Sequence, residues 1–159
     1  MNAERRDALK TGGAMSVFGL FMAAGLVRPT DAFAQASAWN QAAFQGKTLQ
    51  EVTKAIGASN VAETKDVSWG STPEIAENGA VVPVAVTSNI PKTEWIALLV
   101  AKNPSALAAS FDIPAGTDPS VSTRVKMGQS SDVHALIRAD GKYFVATREI
   151  KVTLGGCGG

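Results

Sequence analysis

The sequence has one cysteine, one histidine and one tyrosine, and almost no excess of charge. A single cysteine makes no intramolecular disulfide, and together with one histidine it makes no Cys/His zinc cluster. Fifteen Lys and Arg against fourteen Asp and Glu leave no basic field to hold a phosphate backbone, so nucleic acid is not an expected partner. A catalytic Cys-His pair would have to use His134, which lies in a predicted strand and reads as an ordinary strand histidine. No internal repeat is present, and the only low-complexity tract is the last five residues. Charged residues at 18% and hydrophobic residues at 45% fit a globular chain, and the length fits one domain.

The longest uncharged stretch, residues 11–27, carries Val17, Phe18, Leu20, Phe21, Met22 and Leu26. It is short of the ~20 residues a membrane span needs and is diluted by Gly and Ala. Ahead of it stand Arg5 and Arg6, and after it comes Ala32-Phe33-Ala34, a small-x-small site that places cleavage after Ala34. Residues 1–34 resemble a twin-arginine signal peptide, with the Arg5-Arg6 pair as the strong part of the match. The expectation is a bacterial protein exported to the periplasm, with no membrane attachment after cleavage. Removing the leader leaves equal numbers of basic and acidic residues. A lone thiol in an oxidising compartment stands out.

Residues 35–154 read as one domain. Residues 42–56 bring Phe44, Leu49, Val52 and Ile56 into a helical stripe, with Thr48 and Glu51 as a capping box and Gly57 as the stop. Thereafter the signals are those of strands. Residues 81–87 alternate, with Pro83 marking an edge or a bulge. Residues 95–100 (WIALLV) form an unbroken apolar run, which fits a strand buried on both faces. Asn103-Pro104 reads as a turn, 106–113 as a further strand, and Gly116 to Pro119 as another turn region. Val121, Thr123, Val125 and Met127 alternate with Ser122, Arg124 and Lys126. Residues 133–139 and 143–154 flank Asp140-Gly141, a two-residue hairpin signal. About six strands and one short helix predict a mainly β fold, an immunoglobulin-like antiparallel β-sandwich. Trp39, Trp69 and Trp95 read as packing groups, with Trp69 beside Gly70 also suited to a partner surface. Arg124 and Lys126 read as a solvated strand face, the alternative being a guide for anionic groups.

Residues 155–159, Gly155-Gly156-Cys157-Gly158-Gly159, follow directly on the last predicted strand. Four glycines read as a thin, flexible arm able to carry a thiol into a narrow channel. No cation lies within the arm to activate the sulfur, which suits a group loaded and unloaded by other enzymes. Two other readings stay open on the residues alone. Cys157 makes an intermolecular disulfide in an adaptor or structural dimer. Or Gly159 is activated as a thiocarboxylate, as in diglycine sulfur carriers, against which stand the export signal and the length. Prenylation is excluded because Cys157 is third from the end.

This ending, on an exported β-sandwich, resembles the Y subunit family of the Sox sulfur-compound carrier complex. The likeness extends through Asn78-Gly79, Val82-Pro83-Val84, Asn103-Pro104, Arg124-Val125-Lys126-Met127 and Ile150-Lys151-Val152-Thr153. The resemblance implies a covalent carrier and not an autonomous enzyme. Cys157 would hold thiosulfate and its oxidation products, with Gly155, Gly156, Gly158 and Gly159 as the arm. It implies a heterodimer with a Z subunit that has no export signal of its own. A haem-containing oxidase would load the carrier, a hydrolase would release sulfate, and a dehydrogenase would oxidise the remaining sulfane sulfur. No metal and no cofactor beyond the covalently held sulfur is expected.

Overall fold

The computed structural model describes residues 40–153. The predicted signal with Arg5, Arg6 and Ala34, Trp39, and the predicted arm with Gly155, Gly156, Cys157, Gly158 and Gly159 lie outside the described residues.

The expected single helix is two: α1 (Gln41–Gln45) and α2 (Leu49–Ala55). Asn40 starts α1, its Oδ1 accepting the Ala43 N–H at 3.1 Å. The chain then extends at Gly46, and Thr48 starts a second helix by accepting the Glu51 N–H at 3.1 Å. Glu51 answers one residue further back than a standard capping box, accepting the Lys47 N–H at 2.8 Å. The strong cap at Thr48 needs extended backbone there, which is incompatible with a helix running through it. Gly57, at φ 77°, ends α2 as expected. A Cβ at Gly46 would sit 2.8 Å from Val52 Cγ2, inside a fully buried contact. Gly46→Ala is therefore expected to destabilise the fold by about 1–3 kcal/mol, measured by urea or thermal unfolding.

Among the described residues nine strands follow: β1 (Val61–Glu63), β2 (Val67–Trp69), β3 (Ile75–Ala76), β4 (Val82–Ser88), β5 (Thr93–Val100), β6 (Leu107–Asp112), β7 (Ser120–Val125), β8 (Ser131–Ala139) and β9 (Lys142–Val152). They build two sheets, one in the order β1-β9-β8-β5-β6 with β3 also on β9, the other β2-β4-β7. The fold is the expected mainly β, immunoglobulin-like sandwich. The three strands that sequence patterning missed, β1, β2 and β3, are too short to show a period. Pairing is antiparallel except at β9, where β1 and β3 both run parallel to it. Pro83 sits where β4 has β7 beside it and no β2 pairing on its other edge, so its missing N–H breaks no ladder there. Asp140 and Gly141 take φ of 50° and 72°, the hairpin geometry expected between β8 and β9.

The apolar run in β5 has two burial partners. Ile96, Leu98 and Val100 face the smaller sheet and meet Val82, Val84, Val86, Val121 and Val125. Ala97 and Leu99 face the other way and meet Ala43 and Val52 of the helix pair, with Trp95 packed at the margin. The sandwich thus has a helical cap on one face of its larger sheet, and β5 is covered on both sides. The cap is fastened by the Ala106 N–H donating to Gly46 O at 2.9 Å and by the Ser105 hydroxyl donating to Phe44 O.

Candidate functional site

β9 is the element that leads toward Cys157, so the site begins where β9 ends. Ile150 is fully buried and holds the strand in the core. Beyond it, three amides in succession are tied. Lys151 N–H donates to Glu74 O at 2.9 Å, Val152 N–H to Ser130 Oγ at 2.9 Å, and Thr153 N–H to Ala76 O at 3.1 Å. The Thr153 hydroxyl adds a bond to Glu77 O at 3.5 Å. β3 and the residues on either side of it therefore clamp the strand on one side while the β7–β8 loop holds the other.

The loops at this end of the sandwich brace one another. Met127 N–H donates to Gly79 O at 2.7 Å, joining residues 77–81 to the β7–β8 loop. Asn103 Nδ2 donates to Lys126 O at 2.7 Å and Lys102 N–H donates to Ser131 Oγ at 3.0 Å, joining the β5–β6 loop to the same region. Arg148 Nη2 reaches Glu74 Oε1 at 3.4 Å. From Thr153, four more residues of chain reach Cys157, at most about 14 Å of contour. That contour limits how far from this braced end face an attachment at Cys157 can act.

The remaining candidates fall into place around this end. Arg124 and Lys126 are exposed, as a solvated face requires, near the β7 end that leads into the bracing loop. Trp69 packs partly buried against the main core, which is the packing reading. His134 lies on the outer face of β8, where its Nδ1 and Thr147 Oγ1 share a hydrogen bond of 2.8 Å. No group of three or more His, Cys, Asp or Glu positioned for a metal is present among the described residues. No helix among them is long and apolar enough to cross a membrane. A groove of about 560 Å³ between residues 90–94 and 113–119 is at the opposite end of the sandwich from Thr153.

Burial holds the His134 imidazole below its ordinary value of 6.5, against an opposing pull from Asp132. The folded chain then binds this proton less readily than the unfolded one. The His134 contribution to stability is full above pH 6.5 and is lost as the pH drops through 6.5 toward the lower folded value. His134→Gln, which keeps a polar partner for Thr147, is expected to flatten that part of the curve. Urea midpoints measured on both sides of pH 6.5 check it.

Comparison with known proteins bears on the same end of the molecule. The family model described as sulfur oxidation protein SoxY matches residues 52–157, a span that runs from α2 to Cys157. The chain belongs to the SoxY family. The sulfur carrier protein SoxY from Chlorobium limicola f thiosulfatophilum is similar at 35% identity, over 66% of this chain and 94% of that one, with a TM-score of 0.60. A superoxide reductase (neelaredoxin) from Ignicoccus hospitalis is similar at 18% identity over 63% of this chain and 87% of its own, with a TM-score of 0.47, too loose a likeness to bear on function. No curated protein matches the chain. As a SoxY family member the protein has a sulfur-oxidation carrier role.

Sequence patterning did not single out residues 74–77, whose carbonyls hold the end of β9. Asn78-Gly79, immediately after them, entered only through the family likeness. The clamp uses backbone atoms, and backbone bonds to a distant strand leave no mark on side-chain periodicity.

Proposed function

We propose that this SoxY family member carries sulfur covalently on Cys157 while separate enzymes oxidise and hydrolyse it to sulfate in the periplasm. The observation that carries the reading is that the family match extends to Cys157, the chain's sole thiol. A clamped strand end a few residues upstream of that thiol supports it, because a carrier needs a firm base and a short tether.

The chemistry assigns each step to a different agent. Joining the Cys157 thiol to the outer sulfur of thiosulfate forms an S–S bond and releases one proton and two electrons, which a haem-containing oxidase accepts. Water then attacks the terminal sulfone sulfur, the S–S bond to it breaks, and sulfate leaves with two protons, the persulfide remaining on Cys157. A sulfane dehydrogenase removes six electrons from that persulfide as three waters supply oxygen, and a second hydrolysis returns the thiol. The carrier chain supplies attachment and delivery, and its resident groups need no cofactor for either. A Z subunit completes the carrier as a heterodimer.

Export by the twin-arginine route follows from Arg5 and Arg6, with cleavage after Ala34. Changing both arginines to lysine is expected to shift precursor toward the cytoplasmic fraction, and a normal periplasmic yield would point to the general secretion route. The carrier reading itself is tested by intact-mass spectrometry of the protein from cells grown on thiosulfate. Adducts of sulfur and thiosulfate size that a reductant removes are expected. A mass twice that of the chain, with no adducts, would favour a disulfide-linked dimer.

A further inference from the structure

If Cys157 is the attachment site, as proposed above, its tether limits where a processing enzyme can stand. Thr153 is anchored to Ala76 and Glu77. Cys157 is four residues on, within about 14 Å of Thr153 along any path. An active site closed around that thiol must therefore rest on the end of the sandwich from which β9 emerges.

That end carries an apolar feature of its own. Ile75 and Val81 are the large hydrophobic residues left strongly exposed among the described residues, at 59% and 50%. Both belong to the segment that clamps β9, with Ile75 paired to Lys151 and Ala76 to Val152. The segment is held in one shape. Asn78 Oδ1 accepts the Ala80 N–H at 2.9 Å, Asn78 O accepts the Val81 N–H at 3.3 Å, and Gly79 O is fixed by Met127. Two β-branched side chains on a fixed backbone lose little freedom when covered. Glu74 next to Ile75, Lys151 opposite Ile75 in the register, and Glu77 in the same segment are also exposed, so polar side chains accompany the apolar pair.

We propose that Ile75 and Val81 are the docking contact for the hydrolase that releases sulfate from Cys157, meeting an apolar rim at the mouth of its channel. A contact this small binds weakly, and a carrier passed between successive enzymes has to leave each of them.

The test uses the full mature chain paired with its Z subunit, loaded at Cys157 and offered to the sulfate-releasing hydrolase. Ile75→Ser with Val81→Ser is expected to raise KM roughly ten-fold while kcat stays within about two-fold. Ile75→Thr, which keeps the β-branched shape, should fall between. A loaded synthetic GGCGG peptide should show the high KM of the double variant, and alkylation of Cys157 by iodoacetamide should match the parent. An unchanged KM in the double variant would place docking elsewhere. Loss of the heterodimer on size exclusion would make the pair part of the subunit interface, which also overturns the proposal. Sulfate release that survives Cys157→Ser would instead overturn the carrier reading on which the proposal rests.

Discussion

Cys157→Ser is expected to abolish both the sulfur adducts and thiosulfate-dependent electron flow, because no second thiol exists to take over. A serine hydroxyl lacks the sulfur needed for a reversible S–S bond, and thiol–disulfide chemistry runs through the thiolate. The loss should be total, and not the partial loss seen when a helper group is removed. The fold should be untouched, since among the described residues Ile150 is the last buried core side chain and Thr153 makes the last strand bonds. Equal unfolding midpoints for parent and variant, together with absent adducts in the intact mass, would locate the defect in the chemistry. Electron flow from thiosulfate at the parent's rate in the Ser variant would end the carrier hypothesis.

The second large effect is expected from bulk beside the thiol. Gly156→Val or Gly158→Val leaves the sulfur intact but widens and stiffens the chain next to the reacting atom. Reaction with a small alkylating reagent should match the parent, because open solvent imposes no width limit. Turnover with the partner enzymes should fall ten-fold or more, a transition-state penalty of at least about 1.4 kcal/mol. Equal turnover for parent and Val variants would mean that the enzymes read Cys157 at an open surface. Combined with the Ile75 and Val81 variants, this separates the two parts of recognition. Bulk near Cys157 should act on kcat as well as KM, whereas the exposed pair on the body should act on KM.

Much of the sandwich was legible in the sequence because its longer strands are patterned by burial. The alternation in β7 and the apolar run in β5 each state how many faces are covered. Asp140-Gly141 marks its own turn, since both positions take positive φ. The helical opening was legible as helix but not as two helices. Thr48 and Glu51 signal a start, and nothing in a stripe of apolar residues says that the preceding turn has been broken at Gly46.

What the sequence determined by itself was therefore the class of fold and the one thiol that can be a carrier site, through composition and local pattern. The tertiary structure decided which backbone groups hold the base of that site. β3 has two residues and no period, yet its carbonyls and those beside it fix Lys151 and Thr153 from 75 or more positions away in the chain. It also decided that Ile75 and Val81 stay exposed at the same end. The reason is physical: periodicity records which side of an element faces the core, whereas long-range backbone hydrogen bonds and the company of exposed residues depend on which distant segments the fold brings together.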